Sequence, residues 1–133
     1  MSYPDSIDYV WLATDADGRL AAMVTAGVGP MPPETFAADE LLDVEDMMLA
    51  LPVRGEAILH VEMPRPDSFI ALSQRGLFVY DWSDIHRSRV AYIDAYELMS
   101  SPVVEIGIGA LGAGLRGLAA NIAGPIGKPT IRI

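Results

Sequence analysis

The chain has 133 residues, no cysteine and a formal net charge of −9 at pH 7, and 51% of its residues are hydrophobic. Its length predicts one domain, 1–133, and the lack of cysteine excludes disulfides and cysteine-ligated metal sites. The acidic balance argues against binding nucleic acid or an anionic membrane through a basic patch, and favours a basic protein partner.

Two further features of the composition bear on location and assembly. The start of the chain lacks a basic region followed by an apolar run, so we expect no signal peptide and a cytoplasmic protein. The high apolar fraction indicates a large core or a covered apolar surface, which leaves a homodimer open.

The first predicted element is a β-hairpin over residues 9–27. Two apolar runs flank the turn Asp15-Ala16-Asp17-Gly18, and the glycine can take the positive φ that such a turn requires. A calcium-binding EF-hand would need acidic residues where the chain has Ala13 and Val24. We therefore interpret the aspartates as turn residues, and expect Trp11 on the first strand to lie in the core.

The second predicted element is an acidic amphipathic helix over about 34–51, which Pro52 ends. Six acids and no base lie between Glu34 and Asp46. Apolar residues recur at helical spacing on one face, and four acids share the opposite face. The apolar residues are Leu41, Val44, Met48 and Leu51, and the acids are Asp39, Glu40, Asp43 and Asp46.

The rest of the chain predicts further strands and one more helix. We expect a strand over 57–62 and a second hairpin formed by 69–73 and 77–82. Residues 90–99 suit a strand or a short helix, and their aromatic and β-branched content favours a strand that 100–102 break. A short strand over 103–106, a Gly-rich helix over about 109–123 and an edge strand over 130–133 follow. The predicted fold is α+β, with an antiparallel sheet of five to six strands and two packed helices.

The segment Gly107–Gly112 matches the spacing G-x-G-x-x-G of dinucleotide-binding loops. However, no Asp or Glu follows Glu105 to bind a ribose hydroxyl, and too little chain remains for a further βαβ unit. We interpret the glycines as part of a closely packed helix, and predict no cofactor.

Two histidines lie close to carboxylates, in His60-x-Glu62 and Asp84-x-His86. On strands, each pair would present two ligands on one face, and together they would form a site suited to zinc or another divalent metal. A small metal-dependent hydrolase using these four residues is therefore an alternative function, although the sequence does not indicate that the pairs meet. We predict no metal site and no catalytic residue.

The segments 9–30 and 75–84 resemble parts of small bacterial immunity proteins of polymorphic toxin systems. The resemblance implies a non-enzymatic protein that binds and neutralises a toxin. Because no base compensates the acidic face, its carboxylates would repel one another and would attract a basic toxin domain. We therefore predict partner binding through Asp39, Glu40, Asp43 and Asp46. A homo-oligomeric structural domain is the remaining alternative.

Overall fold

The fold is a mixed β-sheet with helices packed on one face, in a computed structural model that describes residues 9–26, 29–36, 43–61, 66–82 and 95–133. The strands are β1 (Val10–Thr14), β2 (Leu20–Val24), β3 (Ala57–Leu59), β4 (Phe78–Trp82), β5 (Tyr96–Pro102), β6 (Ala120–Asn121) and β7 (Thr130–Ile131). The helices are α1 (Pro33–Phe36), α2 (Val44–Leu49), α3 (Asp67–Gln74) and α4 (Ala113–Arg116).

The sheet has the strand order β3-β5-β4-β2-β1-β6, and β7 also pairs with β5. The predicted α+β class is confirmed, but the sheet is mixed rather than antiparallel, since β2 pairs parallel to β4 and β1 pairs parallel to β6. Both parallel pairs join strands that are far apart in the chain. Long connections of this kind allow a strand to return in the same direction as its neighbour, which a tight hairpin does not.

The predicted hairpin over 9–27 is confirmed. β1 and β2 are antiparallel, with Val10 opposite Val24 and Thr14 opposite Leu20. Gly18 has a φ of 78°, as the turn requires. The backbone N–H of Thr25 donates to the carbonyl of Tyr9 at 2.9 Å and continues the ladder beyond the strands.

The second predicted hairpin is wrong in its first strand. Residues 69–73 belong to α3, whose Phe69, Leu72 and Ser73 are buried. This i, i+3, i+4 spacing places the three residues on one helix face against the sheet. β4 forms as predicted, but it lies between β2 and β5 instead of pairing with a strand over 69–73.

The predicted Gly-rich helix over about 109–123 is also wrong in its extent. The segment forms a 3₁₀ turn at Ile108–Ala110 and the four-residue α4, and then Ala120–Asn121 pairs with β1 as β6. Glycine is a poor helix former, while Leu111 and Leu115 remain buried in the core. Short turns are therefore sufficient to bury the apolar residues of this segment.

The strand limits near the C-terminus also differ from the prediction. Of the predicted strand over 90–99, residues 90–94 lie outside the described residues. β5 continues through 100–102, which the sequence predicts to break it, and its last residue Pro102 pairs with Ala57. A proline is tolerated at a strand end because it removes only one donor. Residues 103–106 form no strand, whereas the expected edge strand near the C-terminus is confirmed as β7.

The sheet separates two apolar clusters. One contains Leu12, Ala22 and Val79 from the strands, together with buried side chains of α2, α3 and α4. The other contains Trp11, Tyr80 and Tyr96, and is closed by Met31, Ile126 and Ile131. The expected burial of Trp11 is confirmed, and its indole N–H donates to the hydroxyl of Tyr96 at 3.2 Å.

The buried carboxylate of Asp15 connects the hairpin turn to the C-terminal segment. Its Oδ1 accepts from the backbone N–H groups of Asp17 and Arg19, each at 3.0 Å. Its Oδ2 accepts from the backbone N–H of Ile126 at 2.9 Å. One side chain therefore fixes the β1–β2 turn and positions the apolar Ile126 over the second cluster.

Tyr80 holds the same C-terminal segment from the centre of the sheet. Its hydroxyl donates to the carbonyl of Lys128 at 2.6 Å and accepts from the backbone N–H of Gly127 at 2.8 Å. Burial raises the pKa of Tyr80 from its usual 10.0 to about 12; the Gly127 hydrogen bond lowers it, and the charge of Asp15 raises it. The structure therefore favours the neutral phenol.

We expect Asp15→Asn to lower the free energy of unfolding by about 1–3 kcal/mol, because the amide nitrogen that replaces Oδ2 cannot accept the buried hydrogen bond from the N–H of Ile126. Urea unfolding would measure the change. The control is Asp17→Asn, whose exposed side chain forms only a 3.6 Å ion pair with Arg19 and should change stability by less than about 1 kcal/mol. Equal losses in the two variants would contradict the anchoring role.

Tyr80 should make stability fall at alkaline pH. Because its folded-state pKa is raised, its contribution is complete below about pH 10 and is lost as the pH rises through about 12. In urea unfolding between pH 9 and 12, the stability advantage of the wild type over Tyr80→Phe should shrink by roughly 2 kcal/mol. The other tyrosines are present in both proteins, so their contributions cancel in the difference. If the free energy of unfolding of the two proteins changed in parallel with pH, the result would contradict this role of Tyr80.

Candidate functional site

The acidic surface predicted from the sequence is described in part, around α2. Asp43 is the residue before the first helical position of α2, and both Asp43 and Asp46 are exposed. Glu45 lies between them and is half-buried. The other two predicted binding residues, Asp39 and Glu40, lie outside the described residues. Of the predicted helix over about 34–51, the structure describes the helix α1 near its start and the helix α2 near its end, and residues 37–42 between them lie outside the described residues.

The local sequence explains why α2 has this orientation. Val44 and Met48 are four residues apart and buried, so they hold one face of the helix against the sheet. The acids Glu45 and Asp46 lie in the first turn, where the helix dipole favours negative charge. The acidic residues therefore stabilise the helix while Asp43 and Asp46 face solvent.

The C-terminus of α2 is held by a basic residue from α3's end. The Nε–H of Arg75 donates to the carbonyls of Leu49 and Leu51, both at 3.0 Å, and its Nη1 donates to the carbonyl of Ala71 at 2.7 Å. Its positive charge thus meets the negative end of the helix dipole. Among the described residues, no base forms an ion pair with Asp43 or Asp46.

A cavity of about 270 Å³ lies beside this helix. Glu45, Asp81 and Ser68 supply its polar groups. The remaining walls are apolar and come from Val10, Val24, Ala26, Phe69 and Leu72. Carboxylates above an apolar wall suit a lysine or arginine side chain, which has an apolar stem and a charged end. The sequence predicts the acidic helix but not the part of Asp81, because only the fold brings Asp81 of β4 and Glu45 of α2 into the lining of one cavity.

The residues of the alternative metal site are described only at His60. Its imidazole Nε2 lies 2.7 Å from the Oγ of Ser101 on β5. Glu62, Asp84 and His86 lie outside the described residues. Within the described part of the chain, no group of three or more His, Asp or Glu side chains could hold a metal ion.

The His60–Ser101 pair was missed by the sequence analysis, since only the β3–β5 register brings the two residues together. The pair adjoins a groove of about 380 Å³ that is also lined by Glu97 and Thr130. A serine nucleophile needs a histidine that a third group orients. Among the described residues, no side chain hydrogen-bonds the other imidazole nitrogen, so that part of the chain supplies no orienting group for His60.

The comparisons with other proteins add no relative. No protein-family model, curated protein or solved structure matches the chain. Among the described helices, none is long and apolar enough to cross a membrane.

We expect Arg75→Lys to lower the free energy of unfolding by about 1–2 kcal/mol, since an ammonium group cannot reproduce the three directed bonds of the guanidinium group. The midpoint of urea unfolding would measure this loss. Arg116→Lys is the control, because Arg116 makes a single bond to the carbonyl of Leu111 at 2.7 Å and is exposed. A control loss as large as that of Arg75→Lys would refute the special role of Arg75 at the end of α2.

Proposed function

We propose that this protein is a non-enzymatic binding module for a basic protein partner, and that α2 and the neighbouring cavity form its binding surface. The observation that carries the proposal is that Asp43 and Asp46, at the start of α2, are exposed, while Glu45 of the same helix lines a cavity to which Asp81 also contributes. The net charge of −9 adds a long-range attraction for a basic partner.

The exposed carboxylates and the apolar cavity walls of this surface would contribute to different steps of binding. Exposed carboxylates such as Asp43 and Asp46 mainly accelerate encounter and select the sign of the partner. The apolar walls formed by Val10, Val24 and Phe69 would supply the contact that slows dissociation. A basic side chain entering the cavity would use both, because its stem would contact the walls and its charged end would meet the carboxylates.

Within this class, we propose an immunity protein that neutralises a basic toxin domain. The resemblance of segments 9–30 and 75–84 to such immunity proteins supports this. Neutralisation by occlusion requires affinity and an acidic surface, and does not require a nucleophile, a metal or a cofactor. The described acidic surface is consistent with such a role.

The test is a growth assay with basic domains encoded by genes adjacent to this one. Coexpression of the wild-type chain should relieve the toxicity of the cognate domain. The variant Asp39→Lys/Glu40→Lys/Asp43→Lys/Asp46→Lys should fail to do so. With purified proteins, the affinity should fall at least about tenfold for this variant, equivalent to about 1.4 kcal/mol, and wild-type association should slow as salt is added.

Two further variants distinguish the effect of charge on α2 from the effect of the net charge of the whole chain. Asp43→Lys/Asp46→Lys changes only described residues of the surface. Asp17→Lys/Glu105→Lys makes the same change in net charge at exposed positions outside α2 and should weaken binding much less. If the natural partner binds all these variants as tightly as the wild type, α2 is not the interface.

A further inference from the structure

The free side of β3 is an apolar sheet edge. β3 ends the strand order, and no described strand pairs with it on the side away from β5. Ile58 is 48% exposed at its centre and Leu59 is 37% exposed. Three exposed valines, Val53, Val103 and Val104, lie in the flanking segments. Exposed apolar edges of this kind favour pairing with another chain.

The direction of the backbone groups follows from the hydrogen bonds on the paired side. The carbonyl of Glu56 accepts from the N–H of Val103, and the N–H of His60 donates to the carbonyl of Met99. Because backbone groups alternate in direction along a strand, the N–H and C=O groups of Ala57 and Leu59 point away from β5. β3 therefore presents two donors and two acceptors at its free edge.

We infer that this edge pairs with the β3 edge of a second copy of the chain, in an antiparallel arrangement with Ile58 on the two-fold axis. In this register, Ala57 of each copy lies opposite Leu59 of the other, and the outward backbone groups form four hydrogen bonds. Ile58 meets Ile58 on the same face of the sheet. A two-fold interface of this type requires a surface that is complementary to itself, and this register satisfies that condition.

The polar residues at the two ends of β3 select a second copy as the occupant. The same register places Glu56 of one copy opposite His60 of the other, on the face that carries Ile58. Opposite residues in antiparallel strands interact directly. The His60 Nε2 pairs with the Ser101 Oγ of its own chain, so the Glu56 carboxylate of the other copy meets an Nδ1–H donor when the Ser101 hydroxyl donates to Nε2. Residues 57–59 carry no charge, so the contact also avoids direct repulsion between two acidic molecules. The surface is separate from α2, so dimerisation does not depend on the proposed partner.

Single cysteines test this geometry directly, because the chain has no cysteine of its own. Under mild oxidation, Ile58→Cys should form a disulfide-linked dimer at least about tenfold faster than the control Ala110→Cys, since opposite positions at a two-fold axis lie within disulfide distance. Ala110 is also exposed but lies in the 3₁₀ turn. Equal cross-linking rates would overturn the proposed register.

Sedimentation of the cysteine-free proteins tests the dimer itself. The wild type should be dimeric at about 100 μM, and Ile58→Lys, which places two ammonium groups together on the axis, should be monomeric. Ala110→Lys carries the same added charge and should remain dimeric. A monomeric wild type, or dimerisation that Ile58→Lys leaves unchanged, would refute the inference without affecting the proposal for α2.

Discussion

The fold depends on one carboxylate that serves two distant parts of the chain. Asp15 binds the N–H groups of its own turn through Oδ1 and that of Ile126 through Oδ2. The first contact is local, as is common for aspartate in turns, whereas the second spans more than a hundred residues. Because a buried N–H group without a partner is costly, the turn and the C-terminal segment are coupled through this side chain.

The sheet carries a buried apolar cluster on each face. Helices cover the face that carries Leu12 and Val79. The opposite face carries Trp11, Tyr80 and Tyr96, and is covered by shorter segments that include Met31 and Ile126. Irregular segments must satisfy their own backbone groups when they cover a core. Asp15 and the hydroxyl of Tyr80 do this for Ile126, Gly127 and Lys128.

The candidate partner surface and the β3 edge differ in their chemistry. The α2 surface combines exposed carboxylates with an apolar-walled cavity, so charge would guide a basic partner before apolar contact holds it. The β3 edge is uncharged over 57–59 and offers backbone groups in a self-complementary order. A chain with a net charge of −9 could therefore associate with itself at one surface and with a basic protein at another.

The sequence by itself determined the elements whose signals are local. The hairpin at 9–27 was predictable because its turn chemistry and alternating burial lie within one short segment, and the acidic residues of α2 could be read directly. Residues 69–73 suit a strand by sequence but form a helix, and the Gly-rich helix is shorter than its sequence predicts, because short apolar runs suit either structure until their neighbours are known. Tertiary structure also decided the parallel pairings.

The same distinction holds for the sites. The charge and helical spacing of Asp43 and Asp46 can be read from the sequence, and their role in binding a partner stays a prediction. The presence of Asp81 and Glu45 in the lining of one cavity, the contact of Ser101 with His60 and the bond from Ile126 to Asp15 required the fold. Charge and local periodicity are properties of short segments, whereas these contacts join segments far apart in the chain. Their positions depend on sheet order and register, which only the packing of the complete domain decides.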